Sequence, residues 1–314
     1  MPDPATANGG SPKPAWESQR ERSSLRTARL GIWVALHLGR RFMRLLLYPI
    51  VAYFLLTGGE PAGASRRFLH HVLGRKPGWG DRVRHWYTYA SVVLDRVFLL
   101  ASRSDYFAVE VEHEDLVLDA TRGGRGALLI VSHFGSFEVM RVIGRNRRHV
   151  PIHIVVDRQH GVMFTQLLEA LNPVLAASVI DASQRGPQLA LALKQALDQG
   201  GLLGMMADRS YAGERTVAVQ FMGRPAQLPE NLWILASVLK VPVILAFGVY
   251  QGANRYRIQF EMLAERVVLP RTNRSAAVQA YAQAYAARLE KQVRAAPYNW
   301  FNFFDFWTDE AAAD

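Results

Sequence analysis

The sequence predicts an α/β protein: a largely parallel central sheet flanked by helices, preceded by a basic helical region. Two observations carry this. From residue 127 to 239, short apolar runs alternate with amphipathic, helix-like segments, the rhythm of a parallel sheet covered on both faces. The runs also end in polar residues, as the strands of open α/β sheets do where they meet a ligand.

In chain order, 1–15 reads as a disordered lead-in; it lacks the apolar core of a signal peptide. Residues 16–44 carry a helical pattern with Leu30, Trp33 and Val34 set among arginines. The apolar run over 45–56 is shorter than the roughly 20 residues a membrane-spanning helix needs, and Pro49 interrupts it. A short helix fits 65–73 and a longer one 81–100, with Asp81 at its start and Trp86, Val93 and Val97 along one side. Residues 107–112 alternate as a half-buried strand. Strands then fall at 127–132, 151–156, 177–180 and 202–207, separated by helices at 137–143, 162–170 and 187–198. After a helix at 231–239, two strands at 241–250 and 256–263 suit a hairpin about Gly252-Ala253-Asn254. An amphipathic helix at 275–294 leads to an aromatic tail over 297–307. Three regions result: the lead-in, a basic helical region at 16–100, and an α/β domain at 101–314.

Length and composition narrow the function. The 314 residues can bury a sizeable core, and half of them are apolar. The absence of cysteine removes disulfides, thiolate nucleophiles and cysteine metal sites. The formal net charge is +10, and residues 1–50 hold eight basic groups against three acidic ones. Such a surface attracts nucleic acid or an anionic membrane. The neighbours of these arginines are Leu, Ile, Phe and Tyr, which favours a membrane surface contacted by 25–57 and argues against nucleic acid. A buried core helix pair is the alternative.

The chemistry centres on 127–144, ALLIVSHFGSFEVMRVIG. A buried strand ends at His133, Gly135-Ser136 turns, and a helix follows with Glu138 in its first turn. Five residues apart on one helix, His133 and Glu138 would point away from each other; across a strand–turn–helix they can meet. A carboxylate on one imidazole nitrogen would fix the tautomer for base catalysis at the other. The helix N-terminus nearby offers free backbone N–H groups, suited to a developing oxyanion. The same residues also fit a satisfied histidine beside a helix-capping glutamate. Asp157-Arg158 and Asp208-Arg209 end two further strands, so both can converge on this site, and their arginines suit an anionic substrate. No Gly-x-Ser-x-Gly elbow, P-loop, dinucleotide fingerprint or His-Glu-x-x-His motif occurs, so neither a metal nor a cofactor is expected.

His133-x4-Glu138 in this setting resembles the lysophospholipid acyltransferase superfamily, and more closely the branch of late lipid A acyltransferases. Trp16 with Gln19-Arg20-Glu21-Arg22 and Gly39-Arg40 is similar to that branch's membrane-proximal start. Gly135-Ser136-Phe137-Glu138, Ala207-Asp208-Arg209, 221–226 (FMGRPA) and 297–307 (PYNWFNFFDFW) look most like the acyltransferases of bacterial aryl-polyene pigment clusters. The resemblance implies an O-acyltransferase of the glycerolipid acyltransferase type, on the cytoplasmic face of a bacterial inner membrane. Its donor would be an acyl carrier protein thioester, or acyl-CoA, and its acceptor a lipid or glycolipid hydroxyl. His133 would be the base and Glu138 its orienter; Arg158, Asp208, Arg209, Gly135 and Ser136 would bind substrate. The aromatic tail departs from the lipid A enzymes and leaves the acceptor open. A non-catalytic membrane or carrier-protein binding module on the same fold is the alternative.

Overall fold

The computed structural model describes residues 25–148, 150–157, 162–184, 186–211 and 213–307. The expected lead-in, the start of the first helix and Arg158 lie outside them.

Four helices come first: α1 (Leu25–Leu38), α2 (Arg40–Thr57), α3 (Gly59–Leu73) and α4 (Trp79–Leu100). Gly39, at φ 79°, separates α1 from α2 in a conformation that side chains disfavour. The apolar run expected to break at Pro49 is instead continuous, inside an 18-residue α2. A proline within a helix costs about 3 kcal/mol. Leu47, Val51 and Leu55 are buried on the inner side of α2, and burying each contributes roughly 1.5–3 kcal/mol, enough to offset it. No single helix among the described residues is long and apolar enough to cross a membrane; α2 and α3 pass that test only as a pair, bent by 96°.

The sheet is built from β1 (Ala108–Glu112), β2 (Ala127–Val131), β3 (Ile152–Val156), β4 (Val179–Asp181), β5 (Leu202–Met206), β8 (Val243–Gly252) and β9 (Arg255–Ala264). Its order is β1-β9-β8-β2-β5-β3-β4. β8, β2, β5, β3 and β4 run parallel; β9 turns back from β8 and β1 follows β9. The fold is thus α/β, with a largely parallel sheet, as the alternating pattern predicts. All five residues of β2 are buried, because β2 is central and covered on both faces.

Between strands run α5 (Glu114–Thr121), α6 (Phe137–Arg148), α7 (Val162–Leu171), α8 (Pro173–Ala176), α9 (Pro187–Asp198) and α10 (Asn231–Leu239), and α11 (Arg274–Ala295) follows β9. Residues from α3, α9, α10 and α11 pack in one core cluster, and residues from α4, α5 and α6 in another, each with sheet residues. The sequence pattern missed α5 and a hairpin, β6 (Thr216–Phe221) and β7 (Arg224–Pro229). Met222 and Gly223, at φ 56° and 81°, form its two-residue turn. The hairpin pairs with itself rather than with the main sheet, and Gln283 and Glu290 of α11 bond its backbone.

Candidate active site

Register places the site. In the parallel pair β2–β5, Val131 lies opposite Met206. Two residues beyond each stand His133 and Asp208, so neighbouring strands deliver them side by side. The His133 imidazole meets Asp208 through Nδ1, 2.9 Å from Oδ1, and the His133 backbone N–H donates to Oδ2 at 2.9 Å. A carboxylate only accepts, so Nδ1 carries the proton and Nε2 keeps its lone pair. The Asp208 side chain is 1% exposed and that of His133 29%, so the carboxylate is sealed while part of the imidazole reaches the surface.

The electrostatics keep this imidazole neutral. Burial first, then the Arg209 charge, lowers its pKa; Asp208 pulls the other way without prevailing, and Arg96 adds to the lowering. Burial alone would raise the Asp208 carboxyl. The imidazole, Arg209 and the His133 backbone N–H more than offset that and hold it below the usual carboxylate range. An ionised acid beside a neutral, correctly protonated histidine is the resting state of a general base.

The turn after His133 is fixed by the tail. Trp300 bridges Phe134 in antiparallel fashion, and the Phe301 N–H donates to the His133 carbonyl at 2.9 Å. The Gly135 N–H donates to the Asn299 carbonyl and the Ser136 N–H to the Gly248 carbonyl, both at 2.8 Å. Gly135 has φ 64°, and a side chain there would stand 1.9 Å from the Gly248 oxygen; β8 passes too close for any other residue. Trp300, buried at the centre of the tail, donates its indole N–H to Asp208 Oδ2 at 3.2 Å.

The family model for bacterial lipid A biosynthesis acyltransferases matches residues 87–308. The chain belongs to that family. It is therefore an acyltransferase, and its family's chemistry is acyl transfer to a lipid. Curated proteins give no match to the sequence.

The structure rearranges the roles expected of the site residues in this acyltransferase. Glu138 begins α6 near the histidine, but its carboxylate pairs with Arg96 of α4 at 2.7 Å, and Asp208 takes the place expected for Glu138 on the imidazole. The reason is register: β5 carries Asp208 to the level of His133, whereas α6 turns Glu138 toward α4. Gly135 and Ser136, expected to bind substrate, have their backbone N–H groups taken by the Asn299 and Gly248 carbonyls. The Ser136 hydroxyl is buried and caps α6, accepting from the Val139 N–H at 3.4 Å. Arg209 lies beside Asp208, donates to the Phe301 carbonyl at 2.8 Å and sits over the Phe304 ring at 5.0 Å. Sequence reasoning did not single out Arg96 or Trp300 as site residues. Arg96 shows no local motif, and Trp300 was hidden within an aromatic run that reads equally as core. Among the described residues no group of three or more His, Asp or Glu could hold a metal ion.

Proposed function

We propose that this chain is a membrane-surface O-acyltransferase in which His133, oriented by Asp208, is the general base. His133 Nε2 takes the proton of an acceptor hydroxyl as its oxygen attacks the thioester carbonyl carbon. The tetrahedral oxyanion then collapses, the carbon–sulfur bond breaks, and the leaving thiolate takes the proton back from Nε2. Arg96 and Arg209 supply positive charge for the oxyanion or a phosphate. The observation that carries this reading is the Nδ1–Asp208 contact, which leaves Nε2 free to accept on an accessible edge. Glu138 serves as the anchor of Arg96.

The donor in this reading is an acyl carrier protein thioester, with acyl-CoA second, and the acceptor is a lipid or glycolipid. The segments at 135–138, 207–209, 221–226 and 297–307 support a place near the acyltransferases of aryl-polyene clusters, with a fatty or polyene acyl chain. Membrane contact is assigned to 25–57, at the cytoplasmic face of a bacterial inner membrane. Trp33, Phe42, Leu45, Tyr48, Tyr53 and Leu56 are exposed there, and Arg41 lies among them. The test is to incubate the protein with labelled acyl carrier protein thioester and a membrane lipid extract and identify the product by mass spectrometry. An acylated lipid made by the wild type and not by His133→Ala is expected; equal product from both would overturn the base assignment.

A further inference from the structure

The mechanism above leaves one buried hydrogen-bond chain unused. Ser65 of α3 and His85 of α4 are fully buried and bonded, Ser65 Oγ to His85 Nδ1 at 2.8 Å. His85 Nε2 lies 2.9 Å from the Trp300 carbonyl. A carbonyl only accepts, so Nε2 carries the proton and Nδ1 accepts from the Ser65 hydroxyl. At its other end Trp300 reaches Asp208 Oδ2, and Asp208 Oδ1 holds His133. One line of donors and acceptors thus runs from α3, through α4 and the tail, to the imidazole.

We propose that Trp300 is a positioning residue of the acyl-transfer reaction: its indole N–H draws charge from Asp208 and so sets the basicity of His133, while the buried Ser65–His85 pair fixes the Trp300 backbone. It rests on the assignment of His133 as base. The carboxylate oxygens receive three N–H groups: His133 Nδ1, the His133 backbone and the Trp300 indole. Each shares the same negative charge, and hydrogen bonds to a charged acceptor are strong where water is excluded. Removing the indole donor concentrates charge on the imidazole's side, stabilises the imidazolium and raises the His133 pKa. The other charged or titratable groups facing this pair are Arg209 after β5, Arg96 of α4 with its partner Glu138 of α6, and Tyr285 of α11, which lies near Asp208. None of them substitutes for the indole, because none donates to Asp208 Oδ2 in the structure.

Packing supports the assignment. Trp300 makes edge contacts with Phe68, Phe221 and Phe306, at centroid distances of 5.1, 5.2 and 5.0 Å. Those rings define the plane of the indole and hence the direction of its N–H. A core tryptophan needs a partner for that N–H, and here the partner is the orienting acid of the base.

The experiment is an NMR titration of the full-length protein with 13C-labelled histidine, His133 being assigned by its loss in His133→Ala. Trp300→Phe keeps a ring and removes the donor. It is expected to raise the His133 pKa by about one unit and to move the acidic limb of the kcat/KM profile upward by the same amount. The probe is lauroyl-acyl carrier protein with membrane lipid extract, and KM for the carrier is expected to hold. His85→Gln, which keeps an N–H near the Trp300 carbonyl, should retain the wild-type His133 pKa, whereas His85→Leu should raise it. A folded Trp300→Phe protein with an unmoved His133 pKa overturns the proposal. Should that variant not fold, the wild type decides. One of the seven tryptophan indole N–H signals must follow the His133 titration midpoint, and none doing so is equally fatal. The two assignments fail separately. Retained turnover in His133→Ala removes the base while leaving the measured coupling; an inactive His133→Ala with no coupling removes only the role of Trp300.

Discussion

Two buried carboxylates lie within the same strand-end region and do opposite work. Asp208, at the end of β5, accepts only N–H groups from its surroundings: the His133 backbone, the His133 imidazole and the Trp300 indole. Glu138, in the first turn of α6, faces a guanidinium instead, Arg96 at 2.7 Å. Glu138 is five residues from the histidine in sequence and Asp208 is far away, yet Asp208 makes the contact. In a parallel sheet the neighbour at a strand end is the residue on the next strand, and nearness in the chain counts for less.

That contrast can be tested from its largest consequence downward. His133→Ala should lower acyl transfer by a factor of at least about 10³, since the proposed mechanism hands the hydroxyl proton to its imidazole. Product formation measured by mass spectrometry checks it, with circular dichroism confirming the fold. Asp208→Asn should follow, lowering kcat by a factor of about 10²–10⁴, because an amide no longer requires the proton to sit on Nδ1. Glu138→Gln should cost about tenfold or less in kcat and show instead in stability. Leaving Arg96 without its carboxylate is expected to cost on the order of 1–3 kcal/mol, read by denaturant unfolding. A Glu138→Gln enzyme as dead as Asp208→Asn would return the orienting role to Glu138.

The fold was legible where the pattern is local. The buried ALLIV run, the helix with Trp86 and Val97, and the hairpin about Gly252-Ala253-Asn254 all stand where apolar periodicity and turn residues put them. His133 was legible because a polar residue ending a buried strand is conspicuous. Its partner was not, because strand order is a long-range property: only the adjacency of β2 and β5 puts Asp208 at the right level. The hairpin of β6 and β7 escaped because its strands pair with each other away from the main sheet, and Met222-Gly223 is a weaker turn signal than Asn-Gly. Pro49 misled for another reason. A breaker rule weighs one lost hydrogen bond, and packing of Leu47, Val51 and Leu55 outweighed it.

Two smaller effects sharpen the comparison between an open surface and a sealed interior. Replacing the exposed Trp33, Leu45, Tyr53 and Leu56 together with serine removes apolar contact area without touching the core. Binding to anionic vesicles in a flotation assay should fall by tenfold or more, with the unfolding midpoint kept. Unchanged binding would place the membrane contact elsewhere. Inside, burial lowers His85 to about 4, opposed by its bond to the Trp300 carbonyl. The unfolded chain holds that proton up to the ordinary histidine range, so it binds more protons than the native state between the two values. Stability from the neutral His85 is complete above about pH 6.5 and is lost as the pH falls toward 4, in total ~3 kcal/mol. Unfolding midpoints recorded from pH 7 to 4.5 should show this slope, and His85→Gln should flatten it.

Asn299, Trp300 and Phe301 complete a turn whose other half, 133–136, leaves the ribosome much earlier. During synthesis the imidazole exists for a time without the segment that clamps it and braces its acid. On the proposed mechanism, reactivity arrives only once the late aromatic segment has threaded home. On that mechanism, cleavage that removes 299–307 is expected to disarm the enzyme, although every strand lies before it in the chain.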